Sequence, residues 1–311
     1  MEQGIYRSEV RFPHAALQGY SWPTVEIVGH RPGPKLAVIA GIHVNETSSI
    51  EAAIRLQGQF DPSSLIGRVS IMPVVNLPAI PLRTQYFCPL DGKNINFSFP
   101  GKADGTFAEA MAHAILSDWA HDADCLADMH GGDLCENVAH FTICQTVGDA
   151  EFDARNMAIA SCFDSELIVR LDPGHLDAPG RSCTGRAASR RHAAFSEAGR
   201  IGLIEEKNVL FHFEGILRVA ALFGMIAEAP PRRRVAQVVE RYHWVPAPVD
   251  GFYRYRVEAG QRVARGMVLA IAENSWGEEV ARVLAPADGW ILWSLTHAFV
   301  EKDSFMMGVG A

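Results

Sequence analysis

The sequence predicts an α/β protein with a mainly parallel, mixed sheet and flanking helices, followed by a small all-β region. Three observations support this prediction. Continuous apolar runs alternate with helical patterns over most of the chain, a Pro/Arg-rich stretch interrupts this texture near residue 230, and a short repeat with alternating β patterns follows. Strands that alternate with helices are typical of a parallel sheet covered on both faces.

A strand, a tight turn and a helix are predicted first. Residues 36–42 are continuously apolar, as in a strand buried on both faces. Polar residues 45–49 then begin a helix whose apolar positions recur at helical spacing. The pattern predicts a second strand over 68–76, an amphipathic helix over 107–119 and a short strand over 123–129.

The last part of the chain carries an internal repeat. Ala-Pro-Val-Asp-Gly at 247–251 returns as Ala-Pro-Ala-Asp-Gly at 285–289, and each copy leads into short alternating segments. Two similar β half-units indicate a small sandwich or barrel that resembles the biotinyl/lipoyl-carrier fold. Such carriers need a lysine at the hairpin tip, and residues 274–276 are Asn-Ser-Trp, so we do not expect a carrier function.

The change in sequence pattern near residue 230 predicts two domains. Residues 1–230 are expected to form the α/β domain and residues 244–311 the β-domain, with a linker at 231–243 because consecutive prolines cannot continue a helix. A chain of 311 residues is long enough for about two domains.

Composition excludes several classes of function. The 28 lysines and arginines against 36 aspartates and glutamates give a net charge of −8, which opposes binding to nucleic acid or to an anionic membrane. No apolar run approaches the about 20 residues of a membrane span. The first residues lack a basic stretch followed by an apolar one, and the 6 cysteines contain no C-x-x-C pair, so we expect a cytoplasmic protein with reduced thiols.

Metal-binding residue types follow two of the predicted strands. His43 comes after the first buried strand and Glu46 opens the helix, an H-x-x-E element that can supply two of the three protein ligands of a catalytic zinc. His130 ends another strand and is the candidate third ligand. Alternation places Asp128 on the same face, where it can orient the ring of His130 through its other nitrogen. The sequence therefore predicts one Zn²⁺ per chain; an Asp-His hydrogen bond that only caps a strand is the alternative.

Four segments together resemble the succinylglutamate desuccinylase/aspartoacylase family, a branch of the zinc carboxypeptidase-like fold. Residues 41–46 resemble its G-x-H-G-x-E motif, with Val44 in place of the second glycine. Residues 89–101 resemble its substrate loop, 128–133 its third-ligand segment, and 196–199 the segment with its catalytic glutamate. The C-terminal repeat is similar to the β-domain of bacterial members, so the resemblance covers nearly the whole chain.

The resemblance implies a zinc hydrolase of amide bonds. The three candidate ligands would hold the metal, and Glu197 would act as general base and then as general acid. Small and apolar neighbours are expected to raise the carboxyl pKa of Glu197. Glu205 and Glu206 lie nearby in the sequence and remain alternatives for this role.

The substrate loop departs from the family pattern at one position. The resemblance implies that Asn94 and Asn96 bind substrate, but Phe97 stands where the family has an arginine that grips a substrate carboxylate. Loss of that charged hydrogen bond forfeits about 1.5–3 kcal/mol, which is enough to change substrate choice. Lys93 and Arg191 are the alternatives for binding the carboxylate.

The residue that polarises the scissile carbonyl is placed by the resemblance upstream of Asp91. Arg83 is the candidate, whereas strict spacing selects Tyr86. Both side chains can donate a hydrogen bond to an oxyanion, so both remain open.

The sequence thus predicts a zinc-dependent amidohydrolase that cleaves an N-acyl amino acid or a related small N-acyl amine with metal-activated water. The alternatives are a carboxypeptidase-like peptidase and a metal- or ligand-binding protein that has lost catalysis. The expected partner is a small N-acyl molecule, with neither nucleic acid nor membrane, and assembly into a homo-oligomer remains open.

Overall fold

A computed structural model describes residues 2–177 and 180–311. The helices of the described chain are α1 (Thr47–Leu56), α2 (Phe107–His113), α3 (Ala150–Ala160), α4 (Ser182–Ala188) and α5 (Glu206–Leu222). Its strands are β1 (Gly4–Val10), β2 (Trp22–Val28), β3 (Arg31–Ala40), β4 (Ile66–Met72), β5 (Cys125–His130), β6 (Glu136–Gln145), β7 (Leu167–Leu171), β8 (His192–Arg200), β9 (Gln237–Val239), β10 (Tyr242–Pro246), β11 (Gly251–Tyr255), β12 (Arg262–Val263), β13 (Val268–Glu273), β14 (Glu279–Leu284), β15 (Gly289–Leu295), β16 (Phe299–Val300) and β17 (Phe305–Gly310).

The central sheet is parallel at its core, which confirms the predicted fold class. Strands β4, β3, β5 and β8 lie side by side in that order and run parallel. On one side β2 and β1 add antiparallel strands, and on the other side β6 pairs antiparallel with β8. The carboxyl ends of β3, β5 and β8 therefore meet at one edge, where the site described below lies.

Alternate residues of β3 pack into two different cores. Leu36, Val38 and Ala40 contact the cluster that contains residues of α1 and α5. Ala37 and Ile39 contact the cluster that contains residues of α2. Because side chains alternate between the two faces of a strand, both faces of β3 are covered, which explains its continuous apolar sequence.

The helix predicted over 107–119 changes its winding halfway. It is α-helical only through His113 and continues as a π-helical turn over Ala114–Trp119. The backbone N–H of Ala120 donates to the carbonyl of Ile115 at 2.9 Å, five residues earlier, as in a π turn.

The C-terminal region consists of two antiparallel layers. Strands β14, β13, β11 and β16 form a separate sheet, whereas β15, β17 and β10 continue the central sheet because β15 pairs with β6. The two copies of the predicted repeat lead directly into β11 and β15, one strand in each layer. Residues of both layers, among them Tyr253, Leu269, Ile291 and Met307, form a common core.

The stretch 231–243, where the sequence indicates a linker, also contributes to the sheet. It contains β9, which pairs parallel with β7, and the start of β10. Within the described residues, no helix combines the length and the apolar character needed to cross a membrane.

Candidate metal centre and active site

The predicted metal-binding residues lie at the carboxyl ends of the neighbouring parallel strands β3 and β5. Gly41 follows β3 with a φ of 64°, a left-handed conformation that favours glycine, and it turns the chain into the segment that carries His43. Glu46 immediately precedes α1, and His130 is the last residue of β5. Val44 stands where the family pattern has a glycine. The backbone at Val44 is not left-handed, so its conformation does not require glycine.

The side chains of His43, Glu46 and His130 converge in a buried cluster. One ligand atom of each residue lies within 4.8 Å of the others. Nδ1 of His43 is 2.6 Å from Oε1 of Glu46, and Nδ1 of His130 is 3.0 Å from Oε2 of Glu46. The backbone N–H of Gly131 also donates to Oε2 of Glu46, at 3.0 Å.

The hydrogen bonds of Asn94 determine which nitrogen of His43 carries the proton. Oδ1 of Asn94 accepts the backbone N–H of Asn96 at 2.9 Å, which identifies this atom as the carbonyl oxygen. The same oxygen lies 3.0 Å from Nε2 of His43, so Nε2 must donate to it. In a neutral imidazole the other nitrogen then carries the lone pair, and this lone pair on Nδ1 faces Glu46.

Asp128 orients His130 in a similar way. Oδ2 of Asp128 accepts the hydroxyl of Ser182 at 2.5 Å, and Oδ1 lies 3.1 Å from Nε2 of His130. A carboxylate beside Nε2 favours the proton on that nitrogen and leaves the lone pair of Nδ1 facing Glu46. Although these atoms are close, both ring nitrogens of His130 are buried and lack a partner with hydrogen-bond geometry among the described residues.

When both rings are neutral, the Nδ1 lone pairs of His43 and His130 therefore face the carboxylate oxygens of Glu46. Such lone pairs repel one another unless a cation or an extra proton lies among them. Two imidazole nitrogens and one carboxylate oxygen are the donor set of a catalytic zinc site that keeps a further position open. The residues of this cluster fit a divalent metal ion.

Protons compete with a metal for these atoms. Burial opposes charge on the rings, but Glu46 raises the pKa of His43, and Asp128 together with Glu46 raises the pKa of His130. Burial also opposes ionisation of Glu46, yet the two imidazoles lower its pKa to about 2. The carboxylate is therefore ionised at neutral pH, as a metal ligand must be.

A cavity of about 670 Å³ opens beside the cluster. His43, Glu46 and Glu197 all line it, so a molecule in the cavity can reach two residues of the cluster and the carboxylate of Glu197 together. One wall consists of aromatic residues from the C-terminal region, namely Tyr242, Trp244, Trp293, Phe299 and Phe305.

Strand β8 places Glu197 directly opposite His130 in the register of the sheet. Burial raises the pKa of Glu197 to about 8, and the carboxylates of Glu46 and Glu136 reinforce the rise. No hydrogen bond between described residues engages the carboxylate of Glu197. It can therefore exchange a proton with a molecule in the cavity.

Comparison with known proteins identifies the family. The sequence pattern of the succinylglutamate desuccinylase/aspartoacylase catalytic domain matches residues 32–222, more than half of the chain. The chain belongs to the succinylglutamate desuccinylase/aspartoacylase family. Among its relatives is the N-alpha-acetyl-L-2,4-diaminobutyric acid deacetylase of Halomonas elongata, 25% identical over 252 residues that cover 79% of this chain and 72% of the relative.

Two solved structures share the fold over nearly the whole chain. The product-bound ectoine utilization protein EutE (DoeB) from Ruegeria pomeroyi has a TM-score of 0.88 at 21% identity and covers 100% of this chain and 96% of its own. The succinylglutamate desuccinylase/aspartoacylase from Rhodobacter sphaeroides has a TM-score of 0.87 at 23% identity, with 99% and 96% covered. The C-terminal β region is therefore part of the shared architecture.

The structure brings most of the predicted substrate residues of this family member to the cavity. Tyr86, Asn94, Asn96 and Phe97 line it. Arg83 is exposed and is not among the described residues that line the cavity. Of the two residues considered for polarising the carbonyl, Tyr86 thus has access to the cavity in this conformation.

The sequence alternatives to Glu197 lie elsewhere. Glu205 pairs with Arg200 at 2.9 Å, and Glu206 pairs with Arg55 at 2.7 Å. Neither carboxylate is among the described residues that line the cavity. Glu197 is therefore the best placed of the three for proton transfer.

Sequence analysis did not identify Arg181, which is the one lysine or arginine among the described cavity-lining residues. Its guanidinium carbon lies 5.5 Å from the ring centroid of Phe97, within the range of a cation–π contact. The sequence candidates for a carboxylate partner do not reach the cavity, since Lys93 pairs with Glu109 at 2.9 Å and Arg191 is exposed. Arg181 directly precedes α4 without capping it, and nothing in the local sequence pattern distinguishes this arginine from an exposed one.

Asp133 was also missed, although it lies within the predicted third-ligand segment. Its Oδ1 accepts the side-chain amide of Asn45 at 2.9 Å, and its Oδ2 accepts the backbone N–H of Tyr86 at 3.2 Å. Asp133 therefore connects the segment that follows β5 with both the H-x-x-E segment and the segment that precedes the substrate loop.

Proposed function

We propose that the protein is a zinc-dependent amidohydrolase that removes the acyl group from an N-acyl amino acid or a related small N-acyl amine. The observation that carries the proposal is that His43 and Glu46, two members of a buried three-residue cluster, line one cavity together with Glu197. Membership of the family and the deacetylase relative support the same type of reaction.

His43, Glu46 and His130 would hold the zinc ion. A zinc ion with this donor set polarises an amide carbonyl and makes water acidic enough to ionise near neutral pH. Asn94 and Asp128 would serve the ion indirectly, because each holds the outer nitrogen of one histidine and aims its lone pair at the common point.

Glu197 would move the proton. Its carboxylate would take a proton from the attacking water and return it to the nitrogen of the departing amine, which turns a poor leaving group into a neutral amine. Burial holds the pKa of Glu197 at about 8, close enough to neutral pH for the group to serve first as base and then as acid.

Arg181 would bind the carboxylate of the substrate. The guanidinium group of Arg181 lines the cavity next to the ring of Phe97. Phe97 stands where the family pattern has an arginine, so Arg181 would supply the charged donors at nearly the same place. Asn96, whose buried Oδ1 lacks a hydrogen-bond partner among the described residues, would contact the substrate beside it. Tyr86 would donate to the scissile carbonyl, and Arg83 would take this role only after a rearrangement of its loop.

A cytoplasmic location belongs to the same proposal. All 6 cysteines of the chain carry free thiols, as expected in a reducing compartment.

Replacing Glu197 tests the proposal. We expect purified protein to contain one catalytic zinc and to hydrolyse members of a panel of N-acetyl amino acids. In Glu197→Gln, kcat should fall by roughly 10²- to 10⁴-fold at unchanged active-site zinc content, because the proton acceptor is lost while the metal ligands remain.

Glu205→Gln is the matched control and should retain full activity, since Glu205 lies outside the cavity. Full activity of Glu197→Gln would contradict the role of Glu197. Stoichiometric zinc with no hydrolysis across the panel would indicate a binding protein, and preferential cleavage of dipeptides would indicate a carboxypeptidase.

A further inference from the structure

A second cluster of metal-binding side chains lies apart from the cavity. His14 stands in the connection between β1 and β2, His113 ends α2, and Asp118 belongs to the π-helical turn that follows. One ligand atom of each residue lies within 4.8 Å of the others. None of the three is a cavity-lining residue.

The contacts within this cluster are close. Nε2 of His14 lies 2.7 Å from Oδ2 of Asp118. The rings of His14 and His113 meet edge to face, with centroids 5.3 Å apart. The side chain of His14 is 11% exposed and that of Asp118 is 34% exposed, so the cluster is held by its surroundings yet open to solvent.

The π-helical turn brings two of these residues to one side of the helix. His113 and Asp118 are five residues apart, and in a continuous α-helix they would point about 140° away from each other. A π turn closes its hydrogen bonds over five residues, which brings positions i and i+5 toward the same side. The Ala120-to-Ile115 hydrogen bond of 2.9 Å shows this winding.

The segment that carries His14 is packed firmly against the same helix. Leu17 and Phe12 are buried in the core cluster that includes α2, and the ring of Tyr20 meets that of Phe107 at 5.4 Å. The position of His14 relative to His113 is therefore set by packing on both sides, as a metal site requires.

We propose that His14, His113 and Asp118 form a second metal site, for zinc or a similar divalent transition-metal ion. Two imidazoles and a carboxylate suit such ions, and the exposure leaves room for water as a further ligand. An ion there would tie the β1–β2 connection to α2 and would stabilise the fold without contributing to the reaction.

Metal stoichiometry tests the site. After equilibrium dialysis against zinc near pH 7.5, we expect two equivalents in the wild type and one in His14→Gln, with kcat/KM changed less than about twofold. Asp118→Asn is the second variant and should also bind one equivalent. Zinc should raise the melting temperature of the wild type more than that of either variant.

His175→Gln is the matched control. His175 also faces an aspartate, with Nδ1 3.5 Å from Oδ1 of Asp172, and this pair has no second imidazole within reach among the described clusters. This variant should keep both equivalents. The difference of one equivalent between wild type and His14→Gln does not depend on whether the catalytic site is loaded or active. Equal zinc content in the wild type, His14→Gln and Asp118→Asn would overturn the second site and show that the His14–Asp118 contact is an ordinary hydrogen bond.

Discussion

Oδ1 of Asn94 lies 3.0 Å from Nε2 of His43, so it accepts the proton of a histidine in the candidate metal centre. The resemblance to the family had suggested substrate binding for Asn94. In the structure its carbonyl oxygen is engaged by His43 and by the backbone of Asn96. The segment that carries Asn94 is thereby coupled to the orientation of the Nδ1 lone pair that faces Glu46.

Replacing Asn94 should therefore weaken metal binding. We expect Asn94→Ala to lower zinc affinity by roughly 10- to 100-fold, because the ring of His43 loses the partner that fixes its tautomer and orientation. Competition with a chromophoric chelator measures this change. Asp128→Asn should have an effect of the same size through His130.

Asn274→Ala provides the control for Asn94→Ala. Asn274 makes the same type of turn, since its Oδ1 accepts the backbone N–H of Trp276 at 2.9 Å, but this turn lies in the β13–β14 hairpin. Equal zinc affinities of Asn94→Ala and Asn274→Ala would show that the contact with His43 does not support the metal.

Arg181 should determine the preference for substrates with a carboxylate. We expect Arg181→Gln to lower kcat/KM for N-acetyl amino acids by roughly 10- to 150-fold, the loss of a charged hydrogen bond worth about 1.5–3 kcal/mol. N-acetyl amines without a carboxylate should be affected much less. Arg191→Gln should change neither value, because Arg191 is exposed outside the cavity. An equal loss for both substrate classes would contradict carboxylate recognition by Arg181.

The aromatic wall should favour substrates with an apolar group. Trp244 packs against Phe305 with centroids 5.1 Å apart and against Tyr242 at 4.8 Å. We expect Trp244→Ala to lose about half of an apolar contact between the wall and the benzoyl group that is worth about 3 kcal/mol in total. The ratio of kcat/KM for N-benzoyl to N-acetyl amino acids should then fall by roughly tenfold. Trp276→Ala is the control, because this hairpin-tip side chain is 84% exposed and should leave the ratio unchanged.

The sequence predicts the fold class and the central cluster because both depend on local patterns. A continuous apolar run identifies β3, and His43, Glu46 and His130 follow strands whose carboxyl ends meet at one edge of a parallel sheet. The three residues come close together because β3 and β5 are neighbouring parallel strands.

The cavity wall was harder to predict because it depends on long-range packing. Trp293 reaches the cavity through the pairing of β15 with β6, in which it stands opposite Val138, and no local pattern specifies this register. The ambiguity between Arg83 and Tyr86 has a related cause. Both residues have a positive φ, 51° and 60°, so neither a helical nor a strand period describes where their side chains point.

A buried histidine behind the active-site strand should make the fold sensitive to acid. His212 on α5 lies 2.9 Å from the hydroxyl of Ser196 through Nδ1, and burial lowers its pKa to about 3. In the unfolded chain the pKa of a histidine is about 6.5. Between about pH 3 and pH 6.5 His212 is therefore protonated in the unfolded state and neutral in the folded state. The stability is therefore complete above pH 6.5 and is lost as the pH falls toward 3. This one group should lower the free energy of unfolding by about 2 kcal/mol between about pH 7.5 and pH 5.

Urea unfolding at both pH values should show a smaller loss of stability for His212→Gln, which keeps a polar group beside Ser196, and an unchanged loss for the exposed His175→Gln. The same pH dependence in His212→Gln and in the wild type would show that His212 does not cause the loss of stability in acid.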